Sequence, residues 1–186
     1  PGPEAGYGQD LLPDVVLGTP SGSGPEAGTT DVLSLGVGGF VTLGFGARAL
    51  LDGPGIDLVI FENAFWVGMN PETPFAELGE ISVSEDGETW HTFPCSLDSE
   101  EPGRWPGCAG WQPTESYDPE AVIPLWPPWV GGDGFDFAEL GVERVRFVRI
   151  LDLASDGVAP GAGFDLDAVG GVHVVEDLGK DIDRAP

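Results

Sequence analysis

Polar and apolar residues alternate along this chain in short stretches separated by turn signals. The clearest case lies between residues 80 and 93. Glu80-Ile81-Ser82-Val83-Ser84 alternates, Glu85-Asp86-Gly87-Glu88 turns, and Thr89-Trp90-His91-Thr92-Phe93 alternates back. An Asp-Gly turn between two alternating stretches predicts a hairpin, because side chains of opposite character then fall on opposite faces of the paired strands. Trp90 is expected to face the core of that hairpin. Val32 to Leu35 and Phe40 to Phe45 read as two strands joined by a glycine turn, Gly36 to Gly39. Ile56 to Phe61, apolar apart from Asp57, has the pattern of a strand buried on both faces, and Asp52-Gly53-Pro54-Gly55 turns the chain into it. Val142 to Leu153 alternates, with Arg144, Arg146 and Arg149 at polar positions where neighbouring acids are expected to compensate them. Phe164 to Val169 and Val172 to Val175 supply the last strands, and Phe135 to Leu140 fits one helical turn or an ordered loop.

The chain divides into three segments. Residues 1–30, rich in Pro, Gly, Ser and Glu, form a linker or partly ordered arm that docks through Val15-Val16-Leu17; residues 31–176 form a β-sandwich; residues 177–186 are a polar tail. Within the sandwich, residues 94–134 carry Trp105, Trp111, Trp126 and Trp129 among many prolines. A connection that long is either functional or disordered, and its tryptophans argue against disorder.

Composition supports the all-β reading. The 30 glycines and 18 prolines exceed a quarter of the 186 residues and are spread along the chain, which suits many short strands. Charge narrows the function. Thirty-two acidic residues against 7 basic ones give a net charge of −25, a surface that repels phosphate backbones and anionic lipid and attracts hard cations. Nucleic acid and direct membrane insertion are therefore excluded as expectations. The two cysteines, Cys95 and Cys108, show no zinc or redox spacing and are read as one disulfide, whose loop length makes it worth about 3 kcal/mol. With no run long enough to span a bilayer, the chain is expected to be a mature or trimmed ectodomain, extracellular or at a cell surface.

Several segments resemble known patterns. Ile81 to Trp90 is similar to the VSxDGxxW hairpin of discoidin-like, galactose-binding-like jelly rolls, and Val145 to Ile150 is similar to their ARYVRI strand. Ser34 to Phe40, Asp52 to Phe65 and Gly163 to Gly170 resemble, in order, the SLGxGG, DGPGxDxxxFENAF and GFDLDAVG blocks of a group of bacterial cell-surface and secreted proteins. The resemblance implies a jelly-roll sandwich of about eight antiparallel strands, a surface location, and neighbouring strands for the DGPG and FDLDAVG segments. It carries no defined activity, and the Trp/Pro-rich stretch is an insertion relative to it.

Calcium needs six to eight oxygens, which carboxylates and loop carbonyls supply. Asp165 and Asp167 lie two residues apart on a predicted strand and are expected to project from one face, where a cation relieves their repulsion. Asp52 and Asp57 flank the Gly/Pro turn, and Glu62 and Asn63 close the far end of the buried strand. With the two segments side by side, these six residues are expected to converge on one edge as a Ca²⁺ site. A second acidic loop offers Asp133 and Asp136. Trp66, Trp105, Trp111, Trp126 and Trp129 are candidates for a glycan-stacking or protein-binding surface. No GxSxG elbow, HExxH or Walker loop occurs, so an enzyme is not expected. The expected function is a non-catalytic, calcium-binding adhesion module that recognises an extracellular glycan or protein. The alternatives are a structural spacer domain of a larger surface protein and, more remotely, a glycoside-active enzyme using paired carboxylates.

Overall fold

The computed structural model describes residues 1–21, 23–98, 101–115 and 130–177. In chain order the strands are β1 (Leu33–Ser34), β2 (Phe40–Gly44), β3 (Arg48–Leu51), β4 (Leu58–Glu62), β5 (Phe65–Trp66), β6 (Pro74–Phe75) and β7 (Gly79–Ser84). They continue with β8 (His91–Thr92), β9 (Asp133–Phe135), β10 (Arg144–Val145), β11 (Phe147–Asp152), β12 (Asp165–Gly171) and β13 (Val174–Glu176). Two four-stranded sheets dominate, with orders β1-β12-β4-β9 and β2-β11-β7-β8; β10-β3-β13 forms a third sheet and β5-β6 a small ribbon. Every strand pair among the described residues is antiparallel. The fold is all-β.

Alternation explains the layering. Leu58 and Ile60 of β4 and Leu166 of β12 share one core with Ile81 and Val83 of β7 and Val148 and Ile150 of β11, so the two large sheets face each other across it. Val59, Phe61 and Ala168 point the other way into a smaller cluster with Val130. All five residues of β4 are buried, as a strand covered on both faces requires. The glycine turn after β1 does not make a hairpin: β1 pairs with β12 and β2 with β11, so the turn carries the chain from one sheet to the other. The 80–93 hairpin is present, with Ser82 opposite Thr92 and Val83 opposite His91. Asp86 closes its turn by accepting from the N–H groups of Glu88 and Thr89 at 2.8 and 2.7 Å.

Trp90 differs from expectation. It lies half-buried on the outer face, with the Arg149 guanidinium 3.9 Å from its ring centre, and Phe40 flanks the same arginine at 5.7 Å. Arg144 and Arg146 do find an acid: Asp177 pairs with them at 2.7 and 3.0 Å. The arginine-rich stretch also divides, since β10 joins β3 and β11 joins the large sheet. The N-terminal arm is pinned at several points. Tyr7 N–H donates to Pro160 O, Tyr7 O accepts from Ser34 N–H, and Val16 is buried in the main core. Among the described residues no helix is long and apolar enough to cross a membrane.

Candidate metal centre

The six acids and amides expected to converge are divided between the two ends of β4. Asp57 precedes the strand and Glu62 ends it, and five residues of extended chain separate them by roughly 16 Å. β4 and β12 are neighbours, Val59 standing opposite Gly170 and Glu62 opposite Leu166. Adjacent strands alone do not gather their acids.

At the entry to β4, Asp57 is fully buried. Its Oδ1 accepts from Gly53 N–H and its Oδ2 from Phe137 N–H, both at 2.8 Å. Asp136 starts the short 3₁₀ turn Phe137–Glu139, its Oδ1 accepting from Ala138 N–H at 2.9 Å. Asp52 follows β3 and is exposed. The pairing of Leu58 with Phe135 brings Asp136 beside Asp57. One oxygen each from Asp52, Asp57 and Asp136 lies within 4.8 Å of the others, a cluster able to hold a metal ion. Each carboxylate oxygen has two lone pairs, so the two backbone contacts leave Asp57 free to bind further. Burial raises the pKa of Asp57; the Phe137 and Gly53 N–H groups and His173 act against that rise, and the charge of Asp136 adds to it. His173 Nε2 is buried without a hydrogen-bond partner, 3.6 Å from Asp57 Oδ1. Its ring lies against Gly53, where a Cβ would overlap it.

The far end of β4 is different. Glu62 continues the inward parity of Leu58 and Ile60 and is buried between the sheets. Its Oε1 accepts from Asp165 N–H at 3.3 Å, while Oε2 has no partner. Burial holds the Glu62 pKa well above the usual carboxylate range, and the charges of Glu77 and Asp165 push it further. Asn63 exchanges hydrogen bonds with the Thr29 backbone at 2.6 and 2.9 Å, clamping the N-terminal arm.

Asp165 and Asp167 do not act as a pair. Asp165 accepts from the Ser34 hydroxyl and from Asn63, whereas both oxygens of Asp167 accept from Ser21 N–H at 3.1 Å. A register shift between Leu166 and Ala168 marks a β-bulge at Asp167 and separates the two side chains. Burial lifts the pKa of Asp167 to about 6, against the Ser21 hydrogen bond and with a further rise from Asp31.

Asp133 and Asp136 serve separate structures. Asp133, buried at the start of β9, accepts from Gly110 and Trp111 N–H groups at 2.7 and 3.2 Å and from Gln112 Nε2 at 3.3 Å. Burial raises its pKa to about 7 despite these bonds. The carboxylate thereby anchors the loop beyond the Cys95–Cys108 disulfide, which is formed.

That loop builds a cleft of about 230 Å³, lined by Trp66, Trp111, Arg104, Gln112 and Glu115 among others. Trp111 Nε1 donates to Cys108 O at 3.1 Å, which fixes the indole. Phe65 stacks on Phe75 at 5.0 Å and steadies the ribbon bearing Trp66. Trp105 lies outside the cleft lining and donates to Leu97 O at 3.3 Å. Trp126 and Trp129 lie outside the described residues. Glu77, Arg104, Gln112 and Glu115 carry no pattern in the sequence that marks them as site residues. Parity along β4 was the one available signal for the inward-facing Glu62.

Comparison with protein-family models, with curated proteins and with solved structures gives no match. The geometry defines an all-β sandwich with a carboxylate cluster at one end of its central strand and an aromatic cleft beside a disulfide loop.

Proposed function

We propose that this protein is a calcium-binding, non-catalytic extracellular module that recognises a glycan through the Trp66–Trp111 cleft. The observation that carries the reading is the approach of Asp52, Asp57 and Asp136 oxygens to within 4.8 Å of one another. An all-carboxylate donor set on turns suits Ca²⁺, with carbonyls and water completing its six to eight ligands. The exposed Asp52 gives the ion a path from solvent, and such sites in extracellular modules work at the millimolar calcium found there. The disulfide fits an oxidising compartment.

The cleft favours a sugar over a protein partner. It is small and concave, with two indoles to stack on apolar ring faces and Arg104, Gln112 and Glu115 to meet hydroxyls. A stable protein interface needs a much larger patch, about 800 Å² per partner. A glycan array probed with the calcium-loaded protein tests it: binding to a defined glycan set is expected, reduced at least tenfold in Trp111→Ala. Binding unchanged in Trp66→Ala and Trp111→Ala, or no glycan bound, contradicts the glycan assignment and leaves the spacer reading.

A further inference from the structure

We propose that a second calcium ion binds at the opposite end of β4, between Glu62, Glu77 and Asp165, and ties the two large sheets together. Only the identity of the ion rests on the calcium reading of the first site. The second site is separate from the Asp52–Asp57–Asp136 cluster.

Three strands deliver the acids. Glu62 ends β4 and Asp165 begins β12, both in one large sheet; Glu77 leads into β7 of the other. Asp152, which ends β11 in that second sheet, stands close enough for its charge to act on Glu77 and Asp165. Asp152 is already committed to backbone donors: Gly38 and Phe164 N–H at 2.8 Å and Ala154 N–H at 3.1 Å. It therefore adds negative field without being needed as a ligand. Among the described residues no basic side chain pairs with any of the four. Glu62 and Asp165 meet at the end of the apolar core, where the Asp165 N–H reaches Glu62 Oε1 at 3.3 Å, and the charges of Glu77 and Asp152 act on this pair without a basic partner among the described residues.

The independent sign of a missing ligand is Glu62 Oε2. The residue is 2 % exposed, the atom has no hydrogen-bond partner, and the charges acting on the carboxyl most strongly are those of Glu77 and Asp165. A buried carboxylate oxygen without a donor is costly, and a cation among converging acids removes that cost. The group is wider than the Asp52–Asp57–Asp136 cluster, the one set of three acids within 4.8 Å among the described residues. An ion bound there would draw the long Glu62 and Glu77 side chains in towards Asp165, with carbonyls and water completing its ligands. Asp165 is held in place by the Ser34 hydroxyl, and Gly161 and Gly163 keep the loop above it thin: a Cβ at Gly163 would stand 2.8 Å from the Asp152 carboxylate. Tyr7 lies against Gly161, beside Asp165.

Calorimetric titration of the full chain with Ca²⁺ alone at pH 7.5 tests the proposal. Wild type is expected to bind two ions, with Glu62→Gln/Glu77→Gln and Asp52→Asn/Asp136→Asn each binding one. Tb³⁺, excited through Tyr7, is expected to lose at least fivefold of its sensitised emission in the Glu62/Glu77 variant and to keep it in the Asp52/Asp136 variant. If the Glu62/Glu77 variant does not fold, Glu77→Gln alone, at a half-buried position, must weaken one of the two ions at least tenfold. A single ion lost only in the Glu62/Glu77 variant supports this site and removes the first one. Unchanged stoichiometry and emission in the Glu62/Glu77 and Glu77 variants, or a single ion lost only in the Asp52/Asp136 variant, overturns the proposal.

Discussion

Asp57 Oδ2 accepts the backbone N–H of Phe137 at 2.8 Å, joining residues eighty positions apart in the chain. Through the same carboxylate, Oδ1 holds the Gly53 turn. One buried side chain therefore fixes both loops that bring Asp52 and Asp136 to it. Asp57→Ala leaves two backbone donors unsatisfied and is expected to cost about 3 kcal/mol even without metal. Urea unfolding in EDTA measures this, and a change below about 0.5 kcal/mol would show that the turn does not depend on Asp57.

The metal-free protein is expected to lose stability as pH rises. Burial lifts Asp167 to about 6, Asp133 to about 7 and Glu77 to about 8, from ordinary values near 4. Between the unfolded and folded values the native state holds more protons, so stability falls with increasing pH across that window. The loss begins near pH 4 and is complete above about pH 8, in the same direction as self-repulsion of a net charge of −25. Asp86 works oppositely. Lowered to about 2 by the Thr89 and Glu88 N–H groups, it favours the fold above pH 4, and that contribution disappears as pH falls towards 2. Urea midpoints in EDTA should decline from pH 5 to pH 8; a midpoint that rises over this range contradicts the buried-acid account.

Gly53 is required by His173 more than by its own backbone. A Cβ there overlaps the imidazole, so Gly53→Ala must displace the ring or the turn and is expected to cost about 1–3 kcal/mol. His173→Ala removes the obstacle. The double variant should recover most of the loss in a double-mutant cycle. Additive losses would place the strain elsewhere.

Replacing Cys95 and Cys108 by Ser opens a loop with a sequence separation of 13 and is expected to lower stability by about 3 kcal/mol. The same change should weaken glycan binding, because the Cys108 carbonyl orients Trp111. Denaturation and glycan binding measured on the same variant separate the two effects. Intact binding in a destabilised variant would show that the cleft does not rely on the bridge.

Local order was readable in the sequence where it depends on neighbours a few residues away. The hairpin around Asp86-Gly87, the doubly buried β4 and the arginine-bearing alternation of β11 all derive from pattern and turn chemistry. What escaped depends on distant register. Asp136 reaches Asp57 because Leu58 pairs with Phe135, and Asp133-Gly134-Phe135 becomes an edge strand only when β4 lies beside it. The Asp165–Asp167 pair failed for a related reason. Strict alternation puts residues i and i+2 on one face, and the bulge at Asp167 breaks that count. The cleft residues Arg104, Gln112 and Glu115 are brought together by long-range contacts such as the Asp133 anchor and the Thr114–Gly131 bridge, which local pattern does not encode.

The most direct test of calcium binding is thermal unfolding at pH 7.5 in EDTA and in calcium, for wild type and for Asp52→Asn/Asp136→Asn. At a calcium concentration a hundred times the dissociation constant, one site adds about 2.7 kcal/mol, which for a chain of this size raises the midpoint by about 5–10 °C. Wild type is expected to gain at least that much, and the variant to lose a shift of that size while keeping its midpoint in EDTA. Equal midpoints in EDTA and calcium for wild type would contradict calcium binding at either end of β4.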